Sequence, residues 1–346
     1  MNATIKPFAP PEIVDDVYSD DQYHRLVTAV RTHGPWKLVM AHHFTSPEQI
    51  VATQSGELPD GEEVKIEDFI SPNFRGFLAQ DGVCYYPEIE DIFYNADFLS
   101  RARSYWGAKY ARPELMLFNI QGAASSPDPG HIDGATFRGM TYSNTPVWLM
   151  NMMAKSGLFS RWMVKKTQVI TWFYKGRLGG GFSYWPDGHD QQPKRLGTPI
   201  WNRGVVVSNE MMYHRGESNG PQSRRHPDNF KFHSVFSADG DSDWKITTDG
   251  EVIQKVSAKE VRFLAHWNAE VYMDKEEMNL VMDHKDDLNP EKVINMFIDD
   301  MRASGQSFSE PTDPMNDKEF IRLLTNAYDI GLPQIYPPEA LGPGNE

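Results

Sequence analysis

The spacing of hydrophobic and polar positions changes twice along the chain and divides it into three predicted segments. Residues 1–113 contain helix-like stretches at 20–34 and 87–107, which predict an α-rich N-terminal layer packed on the core. From residue 114, short apolar runs bounded by Gly, Pro, Asn and Asp predict the strands of an antiparallel sandwich or barrel over 114–250. Helical patterns then return and predict a helical C-terminal segment over 251–346.

The central segment carries the strand signals. Runs rich in Val, Ile, Phe, Tyr and Trp predict strands at 114–122, 168–176, 180–186, 203–209, 211–216 and 230–237. Between the first two, residues 145–166 have helical periodicity, so we predict a helical insert there. Its Met and Trp side chains are expected to line either the core or a pocket.

Three helices are predicted in the C-terminal segment. The first covers 257–272, where Ser257 and Glu260 have the spacing of a capping box. The second covers 289–305 and the third covers 316–331. Each range begins with a capping residue and ends at a glycine. These helices are expected to form either a lid or a homodimer contact, and the pattern does not choose between them.

The composition argues against a nucleic-acid-binding protein and against a membrane-spanning one. The 346 residues carry a formal net charge of −14, which argues against nucleic acid as a partner because phosphate binding needs clustered Lys and Arg. We expect no signal peptide and no membrane span, because no long uninterrupted apolar run occurs. The single cysteine, Cys84, is interpreted as a buried small hydrophobic residue, which fits a reducing cytoplasm.

A histidine and an aspartate two residues apart are the first candidates for chemistry. His131 and Asp133 lie in GHIDGATF, and in extended chain they point to the same side. A third candidate, His214, follows 81 residues after Asp133 at the end of two short predicted strands. Two imidazoles and one carboxylate are the ligand set that suits non-haem Fe(II) and leaves positions open for oxygen and a co-substrate.

An oxo-acid co-substrate would need a cation for its distal carboxylate. A bidentate arginine is the natural partner, and Arg225 and Arg224 follow His214 by eleven and ten residues. We rank Arg225 first and Arg224 second. Because HPDN separates the arginines from the next predicted strand, Lys231 at the start of that strand is the alternative.

The order of these motifs resembles the Fe(II)/2-oxoglutarate-dependent dioxygenase superfamily, nearest to its taurine dioxygenase and phytanoyl-CoA dioxygenase branches. The resemblance spans about residues 114–237 and rests on HIDGATF, the GGGFSYWPDG strand, SNEMMYHRG and the PQSRR approach to the arginines. It implies an α+β protein with a mainly β core, a double-stranded β-helix (a cupin-like jelly roll), flanked by N- and C-terminal helices.

The same resemblance implies the roles of the site residues. His131, Asp133 and His214 would hold Fe(II), and Arg225 would bind the C5 carboxylate of 2-oxoglutarate. Thr136 matches the threonine downstream of the His-x-Asp pair and is expected within reach of that carboxylate.

The implied reaction is the oxidation of an unactivated C–H bond with release of succinate and CO2. Asp133 stands where a halogenase of this superfamily would have a small residue, which favours hydroxylation, desaturation or cyclisation. The insert at 145–166 suggests a small, largely apolar organic substrate. A carboxylate on it would meet one of three further arginines: Arg138, Arg177 or Arg215.

Two other functions fit the sequence. One is an iron oxygenase of the same fold that does not consume 2-oxoglutarate, and the other is a non-catalytic jelly-roll binding protein. Rival metal ligands are His189, His226 and His233, of which His233 is the most credible. His42 and His43 are adjacent without a carboxylate pattern, and we interpret them as structural.

Overall fold

The computed structural model describes residues 5–54 and 64–342. In chain order its strands are β1 (Glu12–Asp15), β2 (Trp36–Leu38), β3 (Asn73–Gln80), β4 (Val83–Cys84), β5 (Tyr110–Gln121), β6 (Lys165–Tyr174), β7 (Phe182–Trp185), β8 (Lys194–Leu196), β9 (Ile200–Val207), β10 (Tyr213–Gly216), β11 (Val235–Asp239), β12 (Asp243–Thr248), β13 (Glu251–Val256) and β14 (Arg262–Tyr272). The helices are α1 (Asp20–Thr32), α2 (Pro47–Gln54), α3 (Glu90–Phe93), α4 (Ala96–Trp106), α5 (Val147–Ser156), α6 (Lys275–Met282), α7 (Pro290–Ala303) and α8 (Lys318–Tyr328). None of the helices in this described part is long and apolar enough to cross a membrane.

Two antiparallel sheets form the β core. The large sheet has the order β1-β9-β6-β14-β5-β3-β2-β11-β12-β13, with β4 paired to β3, and the small sheet has the order β10-β7-β8. Buried side chains of β6 and β9 pack against those of β7 and β8 between the two sheets, including Trp172, Phe182 and Leu196. This mixed α+β protein with a two-sheet antiparallel core has the fold class expected of the jelly roll.

The two faces of the large sheet have different partners. On β14, Phe263, Ala265 and Trp267 alternate toward the outer face, where they join a core with residues of α1, α3 and α4. Trp267 is fully buried, and its indole N–H donates to the carbonyl of Phe93 at 2.7 Å. The intervening side chains of β14 face the space between the sheets. The helical layer therefore supports the sheet from outside and leaves its inner face free for a site.

The helix predicted over 257–272 is wrong. The N–H of Ser257 donates to the side chain of Glu260, and the N–H of Glu260 donates to the carbonyl of Ser257. These hydrogen bonds close a turn and begin no helix, and residues Arg262–Tyr272 form the strand β14. This strand lies in the middle of the large sheet, hydrogen-bonded to β5 on one side and β6 on the other. Burial between two strands therefore overrides the local preference of Ala, Leu and Glu for helix.

Two other predicted elements differ in extent. The helical insert at 145–166 contains α5 and a single 3-10 turn, and β6 then begins at Lys165. The strand predicted at 230–237 begins only at Val235. Met152 and Met153 of the insert are buried in a second core with residues of α7 and α8, so they pack the interior.

The helices α7 and α8 confirm the predictions for 289–305 and 316–331. Asn289 caps α7 by accepting from the N–H of Lys292, and Asp317 caps α8 by accepting from the N–H of Phe320. Both helices pack against α5 through buried aromatic and aliphatic side chains.

The large sheet draws strands from all three predicted segments. Residues 1–113 contribute β1 to β4 and the start of β5, and residues 251–346 contribute β13 and β14. The N-terminal layer is therefore a mixture of strands and helices. Residues 1–4, 55–63 and 343–346 of these segments lie outside the described residues.

Candidate metal centre and adjoining cavity

A short backbone bridge brings the two predicted histidine motifs together. The N–H of His131 donates to the carbonyl of His214 at 3.1 Å, and the N–H of His214 donates back to His131 at 2.9 Å. Two residues on, the N–H of Asp133 donates to the carbonyl of Asn209 at 3.1 Å. Because the chain around His131 runs extended beside β10, His131 and His214, which are 83 positions apart, meet at one edge of the small sheet.

The three predicted ligands converge. Nε2 of His131 lies 3.8 Å from Oδ1 of Asp133, and Nε2 of His214 lies 3.6 Å from the same oxygen. The ligand atoms of all three residues lie within 4.8 Å of one another, and this is the metal-binding cluster found among the described residues. Two nitrogens and one oxygen thus face a common point.

Hydrogen bonds orient each of these side chains. Nδ1 of His131 lies 2.5 Å from Oδ2 of Asp128, and Nδ1 of His214 donates to the carbonyl of Met212 at 3.0 Å. The amide of Gln168 donates to Oδ2 of Asp133 at 2.9 Å. With both Nδ1 atoms engaged, the Nε2 atoms remain for a metal, the usual arrangement of metal-binding histidines.

The electrostatics favour an ionised Asp133. Burial by itself would raise the pKa of Asp133, but His214, His266 and His131 together hold it far below its ordinary value. The neighbouring Glu210 behaves in the opposite way, because burial raises its pKa to about 7. A permanently charged carboxylate between two imidazoles is a donor set ready for a divalent cation.

A cavity of about 240 Å³ opens next to the triad. Its main wall is the inner face of the large sheet, built from alternate positions of β3, β5, β6 and β14. These wall residues are Asn73, Arg75, Asn119, Gln121, Ile170, Trp172, Arg262, Leu264 and His266. The segment from Ser125 to Gly134 and residues of the N-terminal part close the opposite side. The size is that of a small organic molecule.

The residues predicted to anchor the co-substrate lie elsewhere. Arg225 is buried, but its Nε donates to the carbonyl of Gly220 and it does not line the cavity. Arg224 forms an ion pair with Glu260. The structure places none of these predicted anchors in contact with the space beside the triad.

Lys231 and Thr136, the other two residues predicted near the co-substrate, do not line the cavity either. Lys231 forms an exposed ion pair with Asp249 at 2.9 Å. Thr136 is buried and does not line the cavity, and its carbonyl accepts from the N–H of Val164 at 2.9 Å. The arginines suggested for a substrate carboxylate do not line the cavity either: Arg138 pairs with Asp286, Arg177 is exposed, and Arg215 donates to the carbonyl of Leu341.

Sequence reasoning missed the arginines that do line the cavity, Arg75 and Arg262. It also missed His266, whose Nε2 is buried without a hydrogen-bond partner among the described residues. A usable signal existed for two of the three. Polar and apolar residues alternate from His266 to Val271, which indicates a strand, and Arg262 lies four residues before His266, on the same face of such a strand.

None of the rival histidines lies at the candidate metal centre. One further histidine, His43, lines the cavity. His189 packs beside Tyr213, His226 lies near Ser125, and His233 is exposed and bound to Asp249. His42 contacts the carbonyl of Arg75. His43, interpreted as structural, instead lines the cavity and accepts from Nη1 of Arg75 at 2.8 Å.

The sequence matches no family model and no curated protein. The chain is similar to an oxidoreductase of the 2OG-Fe(II) oxygenase family from Burkholderia pseudomallei, at 10% identity and a TM-score of 0.36 over 76% of this chain and 87% of that chain. It is also similar to a prolyl hydroxylase from Trichoplax adhaerens, solved with a hypoxia inducible factor peptide fragment, at 10% identity and a TM-score of 0.32 over 78% and 87% of the two chains. A prolyl 4-hydroxylase from Phytophthora capsici gives 9% identity and a TM-score of 0.32 over 92% and 88%. The function proposed for this chain rests on the geometry of its site.

Proposed function

We propose that the chain is a non-haem Fe(II)- and 2-oxoglutarate-dependent oxygenase that oxidises a C–H bond of a small organic substrate. The observation that carries this proposal is the convergence of His131, Asp133 and His214 beside a small-molecule cavity. The donor set itself argues for iron, because two imidazoles and one carboxylate on one face leave adjacent positions open. Structural zinc sites, by contrast, are closed by four protein ligands.

The residues present fit a bound iron ion. His131 and His214 would each supply Nε2, and Asp133 would supply Oδ1, with Asp128, Met212 and Gln168 holding the three side chains in place. When bound, iron supplies the redox chemistry that couples decarboxylation of 2-oxoglutarate to succinate and CO2 with oxidation of the substrate. The protein orients the substrate and limits the access of water.

Arg262 is the residue that we propose for the distal carboxylate of 2-oxoglutarate. Its Nε and Nη2 donate to the carbonyls of Gly180 and Gly181 at 2.8 and 3.3 Å, which holds the guanidinium against the cavity. Its Nη1 has no partner among the described residues. Although burial lowers its pKa to about 10, Arg262 remains a cation at neutral pH. This proposal replaces Arg225, Arg224 and Lys231.

The remaining parts of the proposal follow from the site. Molecular oxygen and a small organic molecule are the expected partners, and hydroxylation, desaturation or cyclisation is the expected outcome. Because Arg75, the triad and Arg262 come from the three predicted segments, each segment contributes described residues to the same site. A cytoplasmic location is proposed from the single cysteine.

Anaerobic addition of Fe(II) and 2-oxoglutarate tests the proposed function. A metal-to-ligand charge-transfer absorption should form in the wild-type protein and should be absent in His214→Ala. The matched control is His233→Ala, which removes an exposed histidine remote from the cavity and should retain the absorption.

The other results separate the alternatives. Iron binding without the absorption would support an oxygenase that does not use 2-oxoglutarate. No iron binding would support a non-catalytic binding protein. Oxygen-dependent succinate release that persists in Asp133→Ala would contradict the assignment of the triad.

A further inference from the structure

The cavity contains two arginines, and a single co-substrate accounts for one of them. Arg75 lies on β3 and Arg262 lies on β14, with β5 between the two strands. Both belong to the inner face of the sheet, since Arg75 is paired in register with Asn119 and Arg262 with Gln121, both of which also line the cavity. The second guanidinium requires its own explanation.

Arg75 has no ion pair among the described residues. Its Nε donates to Oδ1 of Asn119 at 2.9 Å, and its Nη1 donates to Nε2 of His43 at 2.8 Å. Asn119 is uncharged, and burial holds the pKa of His43 well below its ordinary value, so His43 is neutral too. Its Nη2 makes no hydrogen bond to a described residue. The side chain is therefore oriented by neutral groups and keeps its charge uncompensated.

Arg75 is partly buried and has no ion pair among the described residues, so its charge is partly desolvated, and a ligand anion in the cavity would offset that cost. The carboxylate with the greatest electrostatic effect on Arg75 is Asp133, which does not contact it and which the proposed metal would engage. Once a dication occupies the triad, Arg75 loses the benefit of that carboxylate. An anion bound in the cavity would then compensate the positive charge of Arg75.

The surroundings of Arg75 differ from those of Arg262. Arg262 is held by the Gly180–Gly181 backbone, and Glu217 is the carboxylate with the greatest electrostatic effect on it. The electrostatic neighbours of Arg75 are Asp133 and Tyr142, on the side of the cavity closed by the loop that carries the His-x-Asp pair. The two cations therefore serve different parts of the cavity.

We infer that the substrate is an organic acid whose oxyanion group binds Arg75, with Asn119 and His43 holding the guanidinium in position. This inference rests on the proposed function, because it assigns the Arg262 side to 2-oxoglutarate. The apolar part of the substrate contacts Phe44, Phe69 and Val147, which line the same cavity. The proposed substrate therefore has a largely apolar body and one anionic group.

Paired probes test for this anion site without requiring turnover. The affinities of hexanoate and phenylacetate are compared with those of hexanamide and phenylacetamide by anaerobic calorimetry on the full chain saturated with Fe(II), the state in which Asp133 is engaged. Each carboxylate has an uncharged amide of nearly the same shape, so the difference in affinity reports the charge. The wild-type protein should bind at least one acid about tenfold or more tightly than its amide, as expected for a hydrogen bond between charged groups.

The variants locate the site. Arg75→Gln should abolish the preference and leave amide binding unchanged, whereas Arg262→Gln should retain it. The control Arg177→Gln removes an exposed arginine that does not line the cavity and should also retain it. If Arg75→Gln fails to fold, Arg75→Lys keeps the charge without the fork and should reduce the preference only in part.

Several outcomes overturn the inference. They are the absence of any preference for the acids, a preference that survives Arg75→Gln, and a preference that Arg262→Gln abolishes. A loss of 2-oxoglutarate binding in Arg75→Gln but not in Arg262→Gln also overturns it, because Arg75 would then be the co-substrate anchor while the proposed function stands. A protein that shows the Arg75-dependent preference but no 2-oxoglutarate absorption would contradict the proposed function and support the anion site.

Discussion

Asp128 and His131, three residues apart in the loop after β5, are joined by a hydrogen bond of 2.5 Å between Oδ2 and Nδ1. The bond keeps the proton on Nδ1 and directs Nε2 toward His214 and Asp133. Burial would raise the pKa of Asp128, but His131 lowers it below its ordinary value, so the pair is strongly coupled. The metal centre is thus prepared by a residue that is not itself a ligand.

We predict that Asp128→Asn weakens metal binding about 10- to 100-fold, because outer partners of metal-binding histidines set ring orientation and basicity. An anaerobic Fe(II) titration against a competing chelator measures the change. A matched control exists in the chain, since Asp287 and His284 form the same kind of pair at 2.8 Å in an exposed position. Asp287→Asn should leave the affinity unchanged, and an unchanged affinity in Asp128→Asn would show that the orientation of His131 does not depend on this bond.

A second prediction concerns the co-substrate. Arg262→Gln should raise the dissociation constant of 2-oxoglutarate about 10- to 100-fold, because it removes a charge-assisted hydrogen bond inside the cavity. Arg225→Gln and Arg224→Gln should leave it nearly unchanged, since neither side chain lines the cavity. Titration of the anaerobic Fe(II) protein with 2-oxoglutarate gives the constants. The opposite pattern would return the anchor to the arginines that follow His214.

A third prediction concerns stability and pH in the metal-free protein. Burial raises the pKa of Glu210 from 4.5 to about 7, so the folded state holds a proton that the unfolded state has already lost between these values. Stability therefore falls as the pH rises through this window, and the full cost is present above pH 7. Between pH 5 and pH 8 the contribution is about 2 to 3 kcal/mol.

Glu210→Gln removes this titration. Relative to the variant, the wild-type protein should lose about 2 to 3 kcal/mol of unfolding free energy between pH 5 and pH 8. Urea denaturation at the two pH values, with a chelator present, measures it. Parallel pH profiles for the two proteins would mean that the carboxyl group of Glu210 does not titrate in this range.

A fourth prediction tests the close packing under the sheet. A Cβ on Gly76 would lie 2.4 Å from two ring carbons of Trp36 and 2.6 Å from Cε1 of Phe118. Gly76→Ala should therefore destabilise the protein by about 1 to 3 kcal/mol. Gly216→Ala is the control, because a Cβ there meets no atom within 4 Å. Equal midpoints of thermal unfolding for the two variants would contradict the predicted overpacking.

The three candidate metal ligands that converge in the structure could be predicted from the sequence, whereas the cavity arginines could not. His131 and Asp133 are two residues apart, so extended backbone alone places them on one side, and His214 stands out through its strand context. Arg262 follows His214 by 48 residues, with β11, β12 and β13 between them. No short motif connects them. Their proximity arises because β14 inserts between β5 and β6.

The helix prediction over 257–272 was wrong for the same reason, because local sequence signals do not report pairing with strands that are distant in sequence. Its capping-box spacing and helix-forming residues are local signals, and the alternation of polar and apolar residues from His266 to Val271 was present beside them. Local signals conflicted, and pairing with two neighbouring strands decided the outcome.

The sequence by itself determined the chemistry of the centre: the ligand types, the His-x-Asp spacing and the antiparallel β texture around them. Tertiary structure alone decided which cations share the cavity. Arg75, Arg262 and His266 meet there because strands distant in sequence pair side by side, and side chains on one face of a sheet become neighbours irrespective of their separation along the chain.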